Sequence, residues 1–357
     1  MKRRLHIALT ADPYLPVPPL LYGGIERVIA MLADGLVQRG HTVTLFAHAE
    51  SRTQARLVPY GCAPHFGLKA RLTEVAQLAG GLWKGRGDFD VVHSFGRLAG
   101  LLPLLPFRRL PKIQSYQRQI GLWDNIARAV KLGAESLRFT ACSTSVYGYQ
   151  KAGSRYGKWT TIFNGVDVAR YGFVAAVAED APLVFLGRLE EIKGPHCAIR
   201  IARAAGRRLI LAGNRVAGAE GNAFFEREIE PALHGTGVTW MGPVDDEAKN
   251  HLLGSAAALL MPILWEEPFG IVMAEAMACG TPVIAFPRGS VPEVIVTGQN
   301  GFIARDEAEA AEMVTRLGNL NRRVVREDCE ARFSGKVIVD AYERLYGEAI
   351  RAGGRAE

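Results

Sequence analysis

Short apolar runs rich in β-branched residues alternate with longer helical patterns along almost the whole chain, in two successive series. In the first half, the strand-like runs are Leu5–Leu9, Thr42–Ala47, Val91–His93, Lys112–Ser115 and Phe139–Cys142. The helical patterns between them are Ile25–Arg39, Leu122–Gly133 and Ser145–Gly153. Alternation of this kind predicts a parallel sheet with helices on both of its faces.

The second half repeats the alternation. Its strand-like runs are Leu183–Leu186, Arg208–Leu211, Val238–Met241, Ala258–Met261 and Val283–Ala285. Its helical patterns are Pro195–Ala205, Asn222–Leu233, Asp245–Ser255 and Glu267–Cys279. Because 357 residues suffice for two domains of ordinary size, the predicted fold class is α/β with two doubly wound, Rossmann-like domains. Each domain would hold its ligand crevice at the carboxyl ends of its strands.

The joint between the domains is predicted near Asn164-Gly165, since Asn-Gly is a turn signal and little apolar periodicity crosses it. The predicted domains are residues 1–165 and 181–334, with a last amphipathic helix at 337–350.

The segment from Glu267 to Gly280 carries the most informative motif. Pro268 suits the first position of a helix, and Gly280 suits the residue just past its end. Between them lies an apolar helical pattern with one carboxylate, Glu275, and a second carboxylate, Glu267, at its mouth. At about 1.5 Å rise per residue, the two glutamates would be roughly 12 Å apart along the axis.

The start of this predicted helix also suits an anion, because its amides and the positive end of its dipole face outward. The amides expected there are those of Phe269, Gly270 and Ile271. A carboxylate, an anion site and a second carboxylate in line match a sugar hydroxyl, a diphosphate and a ribose diol. The motif therefore predicts a nucleotide-sugar ligand, and the alternative is a buried helix with two incidental glutamates.

Glu267 and Glu275 resemble the Glu-x7-Glu signature of the retaining GT-B glycosyltransferases of family 4. The resemblance rests on Pro-Phe-Gly after the first glutamate and Cys-Gly-Thr-Pro-Val-Ile-Ala after the second. It covers nearly the full chain and implies a GT-B fold, in which two Rossmann-like domains face each other across a cleft. Residues 1–165 would form the acceptor side, joined by the helix at 337–350, and residues 181–334 would bind the donor.

A second motif follows the strand-like run Leu183–Leu186 and places Arg188 and Lys193 five residues apart, beside glycines. Two cations suit a departing nucleoside diphosphate, since a guanidinium grips phosphate oxygens in bidentate fashion. The string is similar to the Gly-Arg-Leu…Lys-Gly segment of family 4, whose Arg and Lys bind the donor diphosphate. The resemblance assigns Arg188, Lys193 and Glu267 to the catalytic set, and Glu275 to donor binding.

Two further positions lie in the first domain. Gly23 and Gly24 open the first helix and resemble the family loop that meets the diphosphate and sugar. The resemblance also places His93 in the catalytic set, because it ends a predicted strand where the family frequently has a cleft histidine that contacts the transferred sugar. Many relatives carry a second histidine where this chain has Phe95, and the alternative for His93 is a structural hydrogen-bonding role.

Charge is divided unevenly between the halves. Residues 1–163 carry 22 Lys and Arg against 9 Asp and Glu, or +13, and the remainder carries 21 against 27, or −6. A basic first domain favours an acceptor that is anionic or linked to a membrane, and an ordinary solvated surface is the alternative. No recognised motif supports nucleic acid. Leu101–Phe107, beside Arg108, Arg109 and Lys112, has the composition of a surface that rests on anionic lipid.

The chain has no apolar run of the ~18 residues that a membrane helix needs, and its five cysteines are scattered without paired spacing. Reduced thiols and a cytoplasmic protein are therefore predicted, with peripheral attachment to the inner membrane face left open.

No metal and no other cofactor is predicted, because Arg188, Lys193 and the helix start neutralise the phosphates and no carboxylate pair is dedicated to Mg²⁺. The predicted activity is transfer of a sugar from a nucleotide-diphosphate-sugar to an acceptor hydroxyl, with retention of configuration. Two alternatives stay open: a GT-B nucleotide-sugar epimerase and a non-catalytic nucleotide-sugar binder.

Overall fold

The computed structural model describes residues 3–20, 23–61, 67–120, 125–148, 156–235 and 237–353. The chain divides into two compact units. Unit 1 comprises Met1–Asn164 together with Gly335–Glu357, and unit 2 comprises Gly165–Ser334. The segment 165–180, left between the predicted domains, belongs to unit 2, where the N–H of Val166 donates to the carbonyl of Phe333 at 2.9 Å.

Unit 1 is built on a seven-stranded parallel sheet. Its strands are β1 (His6–Thr10), β2 (Thr42–Ala47), β3 (Arg56–Pro59), β4 (Val91–Ser94), β5 (Lys112–Tyr116), β6 (Leu137–Ala141) and β7 (Lys158–Thr161). They lie in the order β3-β2-β1-β4-β5-β6-β7. The order reverses between β1 and β4, and doubly wound sheets bind ligands at such a switch point.

Helices cover this sheet and complete its core. They are α1 (Gly24–Gln38), α2 (Leu68–Gly85), α3 (Ile126–Gly133), α4 (Thr144–Gly148) and a C-terminal helix (Gly335–Ala352). The C-terminal helix packs closely on α1, since a Cβ at Gly35 would lie 2.8 Å from Cγ2 of Val339. Arg39, just after α1, pairs with Asp340 at 2.6 Å. The chain therefore returns to unit 1 after unit 2 is complete.

Unit 2 contains a six-stranded parallel sheet in the order β10-β9-β8-β11-β12-β13. Its strands are β8 (Leu183–Leu186), β9 (Leu209–Ala212), β10 (Val238–Trp240), β11 (Ala258–Met261), β12 (Val283–Ala285) and β13 (Gly301–Ile303). The order reverses between β8 and β11. Residues that follow these two strands therefore occupy the switch point of unit 2.

The helices of unit 2 separate its strands along the chain. They are α5 (Pro195–Ala204), α6 (Ala219–Phe224), α7 (Glu230–Leu233), α8 (Asp246–Ser255), α9 (Ile271–Ala278), α10 (Val291–Val294), α11 (Glu307–Thr315) and α12 (Arg322–Phe333). A π-helical turn, Phe225–Ile229, joins α6 to α7. Two parallel α/β units confirm the predicted fold class for each half of the chain.

Differences from the sequence prediction lie at the sheet edges and in helices α2, α11 and α12, which were not predicted. The strands β3, β7 and β13 were not predicted, and each lies at the edge of its sheet. Every residue of β3 and β7 is at least partly exposed, so these strands lack the continuous apolar run of a buried strand. Residues 122–124 and 149–153 of two predicted helices lie outside the described residues.

The segment proposed as a lipid-facing surface is partly core, which corrects that prediction. Leu101 and Leu104 are fully buried in the 3₁₀ helix Leu98–Leu104. Lys112 is also buried, and its ammonium donates to the carbonyls of Leu104 and Phe107 at 3.1 and 2.8 Å. Because the Lys112 ammonium is bound to these buried carbonyls, it is unavailable to lipid headgroups. Burial lowers the pKa of Lys112 to about 8.

No helix in the described part of the chain combines the length and apolarity needed to cross a bilayer. Four of the cysteines are buried free thiols, as predicted, and Cys62 lies outside the described residues: the four are Cys142, Cys197, Cys279 and Cys329.

Candidate functional site

The predicted donor residues of unit 2 all follow the two strands at its switch point. Arg188 and Lys193 come after β8, whereas Glu267 and α9, with Glu275, come after β11. The two loops are tied together by their backbones, because the N–H of Leu264 donates to the carbonyl of Ile192 at 2.9 Å. The sheet therefore brings the two motifs together although about 75 residues separate them in sequence.

Glycines allow this close approach of backbones. Gly194 adopts a left-handed conformation with φ 75°, and a Cβ there would lie 2.0 Å from the carbonyl oxygen of Pro262. Gly289 has φ 57°, and a Cβ there would lie 2.2 Å from the carbonyl oxygen of Glu267. Any larger residue at either position would push the Lys193 or Glu267 loop out of place.

Helix α9 begins later than the sequence predicted. Gly270 is its N-cap, with φ 70°, and Ile271 is its first residue, so Pro268 and Phe269 belong to the preceding loop. The side chain of Ser290 holds that loop by donating to the carbonyl of Phe269 at 2.8 Å. Gly270 must turn the chain into the helix, which overrides the helix-start preference of proline. The amides at the helix start that have no intrahelical partner therefore begin at the N-cap Gly270 rather than at Phe269.

Glu267 is held by a lysine and an aromatic N–H. The ammonium of Lys193 donates to Oε2 of Glu267 at 2.5 Å, and Nε1 of Trp265 donates to the same oxygen at 2.8 Å. The Lys193 ammonium also lies 4.7 Å from the centre of the Trp265 ring. Both charged side chains are largely buried, with 19% of Lys193 and 12% of Glu267 exposed.

Glu275, in α9, has a matching environment. The ammonium of Lys249, from α8, donates to Oε1 of Glu275 at 2.5 Å, and the hydroxyl of Tyr171 donates to the same oxygen at 2.8 Å. The Lys249 ammonium lies 5.7 Å from the centre of the Tyr171 ring. Glu275 is 6% exposed, so this pairing is what allows a carboxylate at that depth.

The two carboxylates therefore have the same arrangement of hydrogen-bond donors. In each, a lysine and an aromatic donor bind one oxygen, and among the described residues no protein group bonds the other oxygen. A carboxylate oxygen carries lone pairs for about two hydrogen bonds, so the second oxygen of each glutamate can accept from a hydroxyl. The fixed first oxygen sets the direction in which the second one points.

Arg188 extends from the carboxyl end of β8. Its guanidinium pairs with Oε1 of Glu190 at 2.7 Å, and 40% of its side chain is exposed. The exposed planar fork can bind a phosphate in bidentate geometry. Lys193 and the start of α9 are further positive groups at the same switch point, and such groups suit an anion.

Gly23 and Gly24 lie in unit 1, at the start of α1. Gly23 has φ 144°, and a Cβ there would lie 2.8 Å from Pro19 Cγ and 2.9 Å from Glu26 Oε2. Glycine is therefore required where the chain enters the helix, whereas Gly24 is its first residue. Tyr22, which precedes them, lies outside the described residues.

His93 is a core residue, which corrects the predicted sugar contact. It is fully buried at the end of β4, with Nδ1 2.7 Å from the Tyr346 hydroxyl and Nε2 2.6 Å from Ser115 Oγ. Its ring also packs 4.8 Å from that of Tyr342. Burial lowers the pKa of His93 to about 3. With both nitrogens engaged, the ring has no free group for a ligand, and the structural alternative holds.

Sequence reasoning missed the groups that orient the glutamates: Tyr171, Lys249 and Trp265. Trp265 had a signal, because it lies two residues before Glu267. Lys249 had none, since a lysine on an amphipathic helix is usually a solvated cation. Within the described residues, no three His, Cys, Asp or Glu side chains lie close enough to hold a metal ion.

Two family models match the chain, one for each unit. The model described as Glycosyltransferase Family 4 matches residues 22–170. The model described as Glycosyl transferases group 1 matches residues 174–327. The second match contains the Arg188, Lys193, Glu267 and Glu275 positions.

Known proteins are similar over nearly the whole chain. Glycogen synthase of Mycobacterium tuberculosis is 26% identical, with 94% of this chain and 93% of the relative covered. Phosphatidyl-myo-inositol mannosyltransferase of Mycolicibacterium smegmatis is 25% identical, with 92% of each covered. The crystal structure of a glycosyltransferase involved in avilamycin A biosynthesis is 27% identical, with a TM-score of 0.70 and 97% and 98% coverage.

Proposed function

The chain belongs to glycosyltransferase family 4, has the GT-B fold and is a hexosyltransferase, and we propose that it uses a nucleotide-diphosphate-sugar and retains the anomeric configuration. The observation that carries the proposed donor is the pair of oriented carboxylates at the switch point of unit 2. Glu275 would accept from the ribose diol, and Glu267 would accept from a hydroxyl of the sugar.

A third set of groups is assigned to the diphosphate. It consists of Arg188, Lys193 and the first-turn amides of α9. They would stabilise the negative charge that develops on the diphosphate as the sugar leaves, in a partly desolvated site. No protein nucleophile is assigned, because the leaving phosphate can itself take the acceptor proton. Unit 1 would supply the acceptor side, and its His93 is left out of the mechanism.

The names of two relatives show why the acceptor of this chain is not inferred from similarity. One is named for glycogen and the other for a phosphatidyl-inositol lipid, so their names describe very different acceptors. An epimerase of the same architecture, or a non-catalytic binder, would present the same donor residues.

A donor panel separates these activities. The full chain is incubated with UDP-, GDP- and ADP-sugars, with and without candidate acceptors, and nucleoside diphosphate release and sugar configuration are followed by NMR. A transferase releases nucleoside diphosphate faster with an acceptor and forms a product with the donor's anomeric configuration. Isomerised donor without an acceptor would support the epimerase, and binding without turnover would support the binder.

Metal chelation provides a prediction about the leaving group. Because Arg188 and Lys193 supply the neutralising charge, we expect EDTA to leave transfer activity within about twofold of its untreated value. The measurement is the initial rate before and after EDTA treatment. A large loss that Mg²⁺ or Mn²⁺ restores would show instead that a metal ion holds the diphosphate.

A surface of unit 1 supports an acceptor carried on an anionic membrane. The aromatic–basic patch consists of Trp83, Arg86, Phe107, Arg108 and Arg109. The rings of Trp83 and Phe107 meet at 5.0 Å, and their side chains are 40% and 38% exposed. The Arg86 guanidinium lies 4.3 Å from the Trp83 ring, and both following arginines are exposed. Exposed aromatics beside cations suit the headgroup region of a bilayer.

Vesicle flotation tests this surface. We expect binding to vesicles that contain phosphatidylglycerol, none to pure phosphatidylcholine, and release at high salt. The double variant R108Q/R109Q should weaken binding by roughly 30-fold, at about 1 kcal/mol per cation. Arg305→Gln is the matched control, since its side chain is 84% exposed in unit 2. Equal absence from both vesicle types at low salt would leave a soluble acceptor.

A further inference from the structure

Trp265 contacts both charged side chains at one end of the donor site. Its Nε1 donates to Oε2 of Glu267 at 2.8 Å, and the centre of its ring lies 4.7 Å from the Lys193 ammonium. The ammonium donates to the same Oε2 at 2.5 Å. One half-buried indole therefore provides a hydrogen-bond donor for the carboxylate and an aromatic face for the ammonium.

Backbone contacts fix the place of this indole relative to Lys193. The N–H of Leu264, directly before Trp265, donates to the carbonyl of Ile192, directly before Lys193, at 2.9 Å. On the other side of the lysine, a Cβ on Gly194 would lie 2.0 Å from a carbonyl oxygen of the loop after β11. The two loops therefore have no room to slide apart or together, and the contact between ring and ammonium follows from the fold.

The loop after β12 holds the neighbours of Trp265 from the opposite direction. The N–H of Ser290 donates to the carbonyl of Glu267 at 2.9 Å, and the N–H of Gly289 donates to Oε2 of Glu266 at 2.6 Å. The backbone of Glu267 is thus anchored independently of its side chain. Its carboxylate depends on the indole and the ammonium for its direction.

The ammonium has a second task that the indole does not share. A lysine carries three N–H groups, and in the described part of the chain Glu267 is its hydrogen-bond acceptor. Lys193 can therefore donate to a diphosphate as well. The phosphate oxygens then compete with Glu267 for the ammonium, because they carry more negative charge than one carboxylate. The single N–H of an indole is uncharged and stays with Glu267.

Resting on the proposed donor, we infer that Trp265 is a positioning residue that keeps the Glu267 carboxylate oriented toward the sugar while the diphosphate draws Lys193 away. The indole N–H can only donate, so it holds the carboxylate as an acceptor whose second oxygen stays available to a hydroxyl. The ring face keeps the ammonium close to both anions. Nucleotide binding and sugar orientation are thereby assigned to different atoms of one side-chain cluster.

Two substitutions separate the N–H from the ring. Trp265→Phe keeps an aromatic face and removes the N–H, so we expect kcat to fall by about tenfold or more, the value of one hydrogen bond to a charged group. The dissociation constants of UDP, GDP and ADP should stay within about threefold of wild type. Trp265→Leu removes the ring as well and should also weaken the bound nucleotide by about fivefold.

Initial rates with the UDP-, GDP- or ADP-sugar that the donor panel selects, and calorimetry with the nucleoside diphosphates, provide these values. Trp159→Phe is the matched control, because it removes the same atom from an indole that donates to the carbonyl of Tyr156 in unit 1. Its kcat and nucleotide affinity should equal those of wild type. Thermal unfolding checks that all three variants are folded.

Indole NMR tests the contact without catalysis. In protein with isotope-labelled tryptophan, each of the five tryptophans gives one indole N–H signal, and Trp265→Phe identifies the one that belongs to Trp265. Lys193→Met imitates withdrawal of the ammonium, so we expect hydrogen exchange at this indole to stay within about threefold of wild type in that variant. Glu267→Ala removes the acceptor and should speed the exchange at least about tenfold.

The inference is overturned if Lys193→Met speeds this exchange as much as Glu267→Ala does, or if Trp265→Phe keeps the wild-type kcat. It is also overturned if Trp265→Phe loses nucleotide affinity as strongly as kcat, since that is the behaviour of a residue that only stabilises the loop. A wild-type chain that binds none of UDP, GDP and ADP refutes the proposed donor. The exchange in Lys193→Met, measured without nucleotide, still decides whether the indole holds Glu267 by itself.

Discussion

Replacing Lys193 by methionine is expected to lower kcat/KM for sugar transfer by about 10²- to 10³-fold, the effect of removing one preorganised donor to developing charge. The ammonium lies 2.5 Å from Oε2 of Glu267 and close to the Trp265 ring, in a largely buried position. Its loss would remove a cation from the diphosphate and leave Glu267 with Trp265 as its remaining donor. Methionine keeps the length and the packing of the lysine stem, so the change isolates the charge.

Initial rates and thermal unfolding measure this prediction together. Lys336→Met is the matched control, since its side chain is 82% exposed and makes only a surface ion pair with Asp340. Lys193→Arg should recover part of the rate, because it restores charge with a different geometry. A folded Lys193→Met protein with a rate within threefold of wild type would remove Lys193 from the mechanism.

Substitution of the two glutamates is expected to change different quantities, the nucleotide affinity for Glu275 and kcat for Glu267. Glu275→Gln should raise the dissociation constant of the nucleoside diphosphate by about 10- to 100-fold, the value of hydrogen bonds to a charged group. Glu267→Gln should leave that constant within about threefold and lower kcat by at least about 10²-fold. The reason is that Glu275 lies within α9, whereas Glu267 lies in the loop before it. Calorimetry and initial rates check both, and equal losses of nucleotide affinity would contradict the assignment.

Lys249 and Tyr171 extend this prediction to the two groups that bind Oε1 of Glu275. If they orient Glu275 through its Oε1, Tyr171→Phe should weaken nucleoside diphosphate binding by about fivefold, the cost of one hydrogen bond. Lys249→Met should weaken it further, because it leaves a buried carboxylate uncompensated. Both variants should reduce the preference for ribose over 2′-deoxyribose, which a merely destabilised protein would keep. An unchanged preference in both would show that they stabilise α9 without positioning Glu275.

The sequence predicted the central strands, where burial leaves an apolar run, but it missed helices α2, α11 and α12. The central strands β8 and β11 are apolar throughout, and β1 and β4 contain the buried apolar runs 7–9 and 91–92, as expected of parallel strands covered on both faces. The edge strands β3 and β7 contain no buried residue and therefore lack that apolar run, which is why they were missed. Long-range partners leave no local pattern at all.

His93 illustrates the last case. Its place at a strand end was visible in the sequence, but its Nδ1 partner, Tyr346, comes from a helix 253 residues later. Glu275 shows the same limit. Its place in the motif was visible in the sequence, but its partner Lys249 lies in a different helix. Motif and spacing located the candidate donor site. The hydrogen-bond partners that leave an atom of a site residue free or occupied were visible only in the tertiary structure.

Calorimetric titration of the wild-type chain with UDP, GDP and ADP, each beside its 2′-deoxy counterpart, tests the central claim most directly. If Glu275 accepts hydrogen bonds from a ribose diol beside a diphosphate site, one ribonucleotide binds at least about tenfold more tightly than its deoxy form. The claim is contradicted if no nucleoside diphosphate binds at millimolar concentration, or if the ribose and deoxyribose forms bind equally well.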